Sequence, residues 1–193
     1  ESEFGLQFDS MADLITSGVV PGVVMYNLFL ENGVRELNFS TSILQSEFTF
    51  SFAPLALVGF LIPLGAGIRL ARFNIDKEQQ EEFKGLPAPA NALFIVALPL
   101  LIEHPIFESL KEVITSYSTL VIITLLSAIL MNVRLPLFSF KIKSLSFQEY
   151  QFQWILLLLS LPMFYFFNWV AVPLLILIYL ILNVIRNSTT FNN

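Results

Sequence analysis

Apolar residues in this chain are gathered into long runs, and polar residues collect between them. A hydrocarbon layer about 30 Å thick takes roughly 20 helical residues to cross. Six runs approach that length: Leu14 to Leu30, Phe48 to Leu70, Ala88 to Ile102, Ile114 to Met131, Phe152 to Phe167 and Trp169 to Ile185. The pattern predicts an all-α, polytopic membrane helix bundle with six transmembrane helices, forming one domain over residues 1–193. The third and fifth runs are short and are extended by flanking residues. The last two are joined by little more than Asn168, which predicts a tight helical hairpin. Pro21 and Gly22 should kink the first helix, and Gly18 should let a neighbour approach closely. No internal repeat, low-complexity tract or linker divides the chain.

Six crossings put alternate connections on opposite sides, so the basic residues orient the bundle. With the N-terminal end in the cytoplasm, that side holds Arg69, Arg72, Lys77, Lys84, Arg134, Lys141, Lys143 and Arg186. The other side holds Arg35 and Lys111. Eight against two is a strong bias, and it predicts an integral membrane protein whose charged N-terminal end faces the cytoplasm. The connection from Asn132 to Gln151 mixes basic residues with Phe and Leu and is expected to lie against the membrane surface. Trp169 falls where an interfacial aromatic is expected. His104, on the outer side without a partner cluster, reads as interfacial, and Lys143 and Glu149 read as solvated loop charges. Nothing at Glu1-Ser2-Glu3 resembles the basic n-region of a signal peptide.

Composition agrees with a lipid environment. The chain is 55% hydrophobic and 13% charged, with 20 Phe residues and a mean hydropathy of +0.73, whereas soluble domains carry about 25% charged residues. That leaves too little polar surface to coat a water-soluble particle. A net charge of −5 argues against a nucleic-acid binder, which needs clustered cations to displace counterions from phosphates. With no Cys there is no disulfide frame, thiolate metal site or cysteine nucleophile.

The stretch with most chemistry is Gly5-Leu6-Gln7-Phe8-Asp9-Ser10-Met11-Ala12-Asp13. It reads G-x-x-x-D-x-x-x-D, and a spacing of four puts the three residues on one helical face. Two carboxylates one turn apart repel each other, more so near hydrocarbon. A divalent metal, Mg²⁺ or Mn²⁺, suits such hard oxygen ligands, and a glycine one turn earlier lets a phosphate or backbone approach. The same spacing also suits a pair that only complements a helix N-terminus in the headgroup region. Arg69 and Arg72 end the second run on the same side and suit bidentate recognition of phosphate or carboxylate. They equally suit a helix end anchored in anionic headgroups.

G-x-x-x-D-x-x-x-D before a membrane helix resembles the second half of the CDP-alcohol phosphatidyltransferase signature, D-x-x-D-G-x-x-A-R followed after about eight residues by that motif. Arg69-Leu70-Ala71-Arg72-Phe73-Asn74 and Phe83-Lys84-Gly85-Leu86-Pro87-Ala88-Pro89-Ala90 extend the resemblance over most of the chain, toward bacterial members that use serine. The resemblance implies transfer of the phosphatidyl group from CDP-diacylglycerol to the hydroxyl of L-serine, with release of CMP. It implies a divalent metal held by Asp9 and Asp13, with Asp13 also the catalytic base. Gly5, Arg69, Arg72 and Asn74 become substrate-binding candidates, with Gly85-Leu86-Pro87 a turn near the site. A homodimer in the bacterial inner membrane is implied by family alone.

The first half of the signature is not among these 193 residues. An N-terminal truncation is expected, with about eight helices in the complete protein and a catalytically silent segment as written. Other members of the family with glycerol phosphate or inositol phosphate as acceptor are the nearest alternative. A transporter or non-catalytic membrane subunit is the alternative from another class, but it calls for ionisable residues near the midplane, and the charges here sit at the ends of the runs.

Overall fold

The computed structural model describes residues 2–43, 46–75, 85–133, 135, 137–138 and 150–190. Glu1, Lys77, Phe83, Lys84, Arg134, Lys141, Lys143, Glu149 and most of the connection between Asn132 and Gln151 lie outside the described residues.

Six helical rods run alternately between two ends of a bundle. The first comprises α1 (Glu3–Leu14), a π-helical turn (Ile15–Val19) and α2 (Val20–Glu31). Pro21 has no N–H to bond the carbonyl four residues back, and the widened turn ends just before it, so the expected kink is a local change of helical pitch. The second rod is a 3₁₀ stretch, Pro54–Phe60, continuing into α3 (Leu61–Ile75). The others are α4 (Ala88–Ile102), α6 (Tyr117–Asn132), α7 (Gln151–Phe167) and α8 (Ala171–Thr190), with a 3₁₀ stretch (Pro105–Leu110) and the short α5 (Lys111–Thr115) between α4 and α6.

Two expectations need correction. Phe48–Phe52 is not the start of a membrane helix but part of β2 (Ser46–Phe52), which pairs antiparallel with β1 (Leu37–Ile43). The bundle therefore carries one β-ribbon that an all-α reading leaves out. Likewise Ile114 and Thr115 belong to α5, and the fourth rod begins at Tyr117, after Ser116 breaks the helix and its hydroxyl accepts from the Thr119 amide.

By length and composition, Glu3–Glu31, Pro54–Ile75 and Gln151–Ser188 can each cross a membrane, as can Ala88–Ile102 with Pro105–Thr115 if that pair, bent by 94°, is one span. The stretch from Gln151 to Ser188 is itself a hairpin. The ring of Phe138 lies 6.4 Å from Phe152 and 4.9 Å from Tyr179, two residues that a straight helix would hold about 40 Å apart. The turn is at Asn168, with φ 49°, a positive value that Asn tolerates better than most residues.

In lipid the tails are as apolar as Leu, so helices associate through close packing rather than transfer out of water. Small residues make that packing here. A Cβ on Gly22 would sit 2.9 Å from Pro63 Cδ, one on Gly59 would sit 3.0 Å from the Tyr26 backbone nitrogen, and one on Gly65 would sit 2.9 Å from Ala128 Cα. Gly18 lies against Ala66 and Pro63, as its expected packing role requires. Around these contacts Met25, Phe29, Ile62, Ile95, Leu120 and Met131 form the central core. A second cluster, with Leu86, Leu137, Phe138, Leu156 and Tyr179, ties the α7–α8 hairpin to the start of α4.

Candidate functional site

The site is assembled where α1 begins and α3 and α6 end. Ser2 caps α1, its Oγ accepting from the Gly5 amide at 3.1 Å, which satisfies one of the unpaired donors of the first turn. Gly5, Asp9 and Asp13 follow at one-turn intervals, with Gly5 and Asp9 exposed and Asp13 half-buried. A Cβ on Gly5 would meet only the Ser2 hydroxyl, at 3.1 Å, so that face of α1 is open to a ligand.

A hydrogen bond docks this helix on α3. Asn74 Nδ2 donates to Ser10 Oγ at 2.9 Å, while the Ser10 hydroxyl donates back to the Leu6 carbonyl at 3.1 Å. Asp13 lies close enough to Arg69 for its charge to act on the buried guanidinium. Arg69 Nε has no hydrogen-bond partner among the described residues. Arg72 turns elsewhere: its Nη1 donates to the Asn132 carbonyl at 3.3 Å.

That last contact belongs to a cap on α6. A helix C-terminus leaves four carbonyls without intrahelical partners. Here the Leu86 amide donates to Leu130 O at 2.9 Å and Arg72 takes Asn132 O, while just past the helix the Gly85 amide binds Leu135 O at 2.9 Å. Gly85 has φ +82°, and a Cβ there would sit 2.7 Å from Val133 O. Only glycine combines that backbone conformation with so close an approach. The Gly85-Leu86-Pro87 turn is thus structured and stands beside Arg72. Asn132 adds a brace, its Nδ2 donating to Gly65 O on α3 at 2.8 Å and to Ala128 O at 2.9 Å.

One layer deeper, Ser127 Oγ donates to Asn91 Oδ1 at 2.7 Å, both residues buried, and Asn91 Nδ2 has no hydrogen-bond partner among the described residues. The structure therefore brings together Asp13, Arg69 and Asn74 and leaves Asp9, Gly5 and Arg72 at the exposed rim. Sequence reasoning passes over Ser10, Asn91, Ser127 and Asn132. The last three carried a readable signal, as polar side chains inside or closing apolar runs. Among the described residues no group of three or more His, Cys, Asp or Glu could hold a metal ion. The metal-ligand chemistry on these elements is the Asp9–Asp13 pair, two hard oxygen donors of the kind that bind Mg²⁺ together with water and substrate phosphates.

His104 sits at the opposite end of the bundle from these residues. Its Nδ1 accepts from the Ile106 amide at 3.4 Å, and its ring lies 6.1 Å from Phe107 and 6.3 Å from Phe167.

The chain is similar to a CDP-diacylglycerol–serine O-phosphatidyltransferase of Helicobacter pylori strain 26695, 30% identical over 141 residues, which cover 71% of this chain and 50% of that protein. The protein of the same name from Methanocaldococcus jannaschii is 32% identical over 114 residues, covering 58% of this chain and 45% of the relative. An archaetidylserine synthase of Methanothermobacter thermautotrophicus is 33% identical over 92 residues, or 48% of this chain and 31% of the relative. The chain spans half or less of the length of these relatives. No family model matches the chain, and no solved structure matches it.

Proposed function

We propose that this chain, which belongs to the CDP-alcohol phosphatidyltransferase family, carries the acceptor side of a phosphatidylserine synthase site. The single observation that carries this reading is the docking of α1 onto the arginine-bearing end of α3 through Ser10–Asn74, which leaves the Gly5–Asp9–Asp13 face open with Asp13 within electrostatic reach of Arg69. In this reading the hydroxyl oxygen of L-serine bonds to the phosphorus of CDP-diacylglycerol that bears the diacylglycerol. The bond from that phosphorus to the bridging oxygen breaks, and CMP leaves with that oxygen and its electron pair.

Each residue then has a physical task. Asp13 receives the serine hydroxyl proton, which suits a half-buried carboxylate. Asp9 and Asp13 would hold a divalent cation. When bound, such a cation neutralises the diphosphate and the charge developing on CMP. Gly5 leaves room for the nucleotide against α1. Arg69, buried with one N–H unpaired, offers a charge-assisted donor to the serine carboxylate, while Arg72 at the rim offers phosphate recognition. Asn74 both holds α1 and borders the same space.

We further propose that the six rods are six membrane crossings with this end in the cytoplasm. The distribution of Lys and Arg supports that orientation, and the described Arg35 and Lys111 lie at the opposite end. CDP-diacylglycerol would then enter laterally between rods while serine arrives from water.

The test is CMP release from CDP-diacylglycerol by the natural protein carrying this sequence, with Mg²⁺ or Mn²⁺. L-serine, glycerol 3-phosphate and inositol phosphate are compared as acceptors. Serine-dependent release is expected. Release driven only by a phosphorylated alcohol would move the chain to another branch of the family.

A further inference from the structure

The β1–β2 ribbon has no part in the site above and lies at the other end of the bundle, between α2 and the Pro54 turn. Its register pairs Leu37 with Phe52 and Phe39 with Phe50 on one face, and Asn38 with Ser51 and Ser40 with Thr49 on the other. The rings of Phe39 and Phe50 stack at 5.3 Å. One face is therefore aromatic and aliphatic at these positions, while the other is polar, with Ser42 paired to Glu47 continuing it. Leu37, Phe39 and Phe50 are 42%, 47% and 60% exposed, so no helix among the described residues covers them.

We propose that this ribbon is a membrane-surface anchor, its Phe face seated in the headgroup and acyl boundary of the leaflet remote from Asp9 and Asp13. Three observations select a lipid surface as its partner. The ribbon cannot leave the bundle end. β2 is separated from the Pro54 helix by Ala53 alone, a buried residue whose amide is held by the Tyr26 hydroxyl at 3.4 Å. Its apolar face also continues into exposed Leu55 and Leu57 on the next rod, the surface that faces lipid in any membrane bundle. Finally, the exposed apolar area of Leu37, Phe39, Phe50, Leu55 and Leu57 together is about 500 Å² at roughly half of a 200 Å² side chain each. A stable interface with a second copy needs about 800 Å² per partner. Asn, Ser, Thr and Glu47 on the reverse face suit contact with water, and amphipathic elements of this kind lie in the interface plane.

The inference rests on the chain being a membrane bundle and not on the proposed reaction. Because the chain has no Cys, single spin labels can be placed without background. Phe39→Cys, Thr41→Cys and Phe50→Cys sample one face, and Ser40→Cys and Thr49→Cys the other, in protein reconstituted into phospholipid vesicles. The ratio of collision rates with oxygen to those with a water-soluble nickel chelate should rise at 39, 41 and 50 and fall at 40 and 49. Equal water accessibility on both faces would overturn the proposal. So would protection at 39 and 50 that persists in detergent together with a disulfide between the Cys at position 50 of two copies, which would make the face a protein interface. Thr41→Cys and Ser40→Cys are small replacements on opposite faces and keep the test open if a Phe variant fails to fold.

Discussion

Two glycines with nearly the same backbone conformation should respond very differently to the same substitution. Gly85 has φ +82° and Gly33 has φ +83°, so alanine at either position meets the left-handed penalty of about 1–2 kcal/mol. At either position it also recovers about 0.4–1 kcal/mol by restricting the unfolded chain. These effects cancel in the comparison. What differs is the surroundings: a Cβ on Gly33 meets nothing within 4 Å, whereas one on Gly85 would lie 2.7 Å from Val133 O and 2.9 Å from Met131 O. Those oxygens are backbone and cannot swing aside, so the turn must lift from the end of α6. Lifting it strains or breaks the bonds from Gly85 to Leu135 O and from Leu86 to Leu130 O, each about 0.5–1.5 kcal/mol net. Gly85→Ala should therefore cost about 1–3 kcal/mol more than Gly33→Ala, measured by reversible unfolding in mixed micelles. Equal losses for the two variants would refute the cap on α6 as the reason for glycine at position 85.

Three further outcomes bear on the site. Asp13→Asn should abolish most turnover while keeping much of the metal-dependent binding of CDP-diacylglycerol, and Asp9→Asn should weaken both; equal loss of metal binding in the two would make Asp13 chiefly a ligand. Arg69→Lys should raise the KM for serine more than that for CDP-diacylglycerol, because Lys keeps the charge but loses the planar fork; Arg72→Lys should move it less, since Arg72 faces the Asn132 carbonyl. In intact cells an impermeant thiol reagent added outside should label Ser40→Cys and spare Gln79→Cys, which lies outside the described residues between α3 and α4. The reverse pattern would put the carboxylates on the wrong side for their proposed substrates.

Local properties of the chain are legible without the fold. Run length marks four of the six rods to within five residues, and the spacing of Gly5, Asp9 and Asp13 puts them on one face of α1 wherever that helix lies. The α7–α8 hairpin is legible because Asn168 leaves no length for any other connection. The ribbon was within reach as well, since Ser46-Glu47-Phe48-Thr49-Phe50-Ser51-Phe52 alternates with period two. A search for apolar runs absorbs its second half into a helix, because Phe counts as apolar in either structure.

The partners across the bundle could not be read in the same way. Asn74 meets Ser10, Asn132 meets Gly65, Ser127 meets Asn91, and Gly85 meets the end of α6. Each pair depends on how a rod is rotated about its axis and how deep it sits against its neighbour. In a soluble helix an apolar stripe reports that rotation, because only one face is buried away from water. In lipid both the protein-facing and the lipid-facing sides are apolar, so the stripe disappears and hydrophobicity carries no angle. Rotation is set instead by where Gly22, Gly59 and Gly65 let backbones touch. The sequence by itself thus determined the rods and the carboxylate face of α1. Only the tertiary packing decided that Asn74 would hold Ser10 and that Arg72 would turn away to close the end of α6.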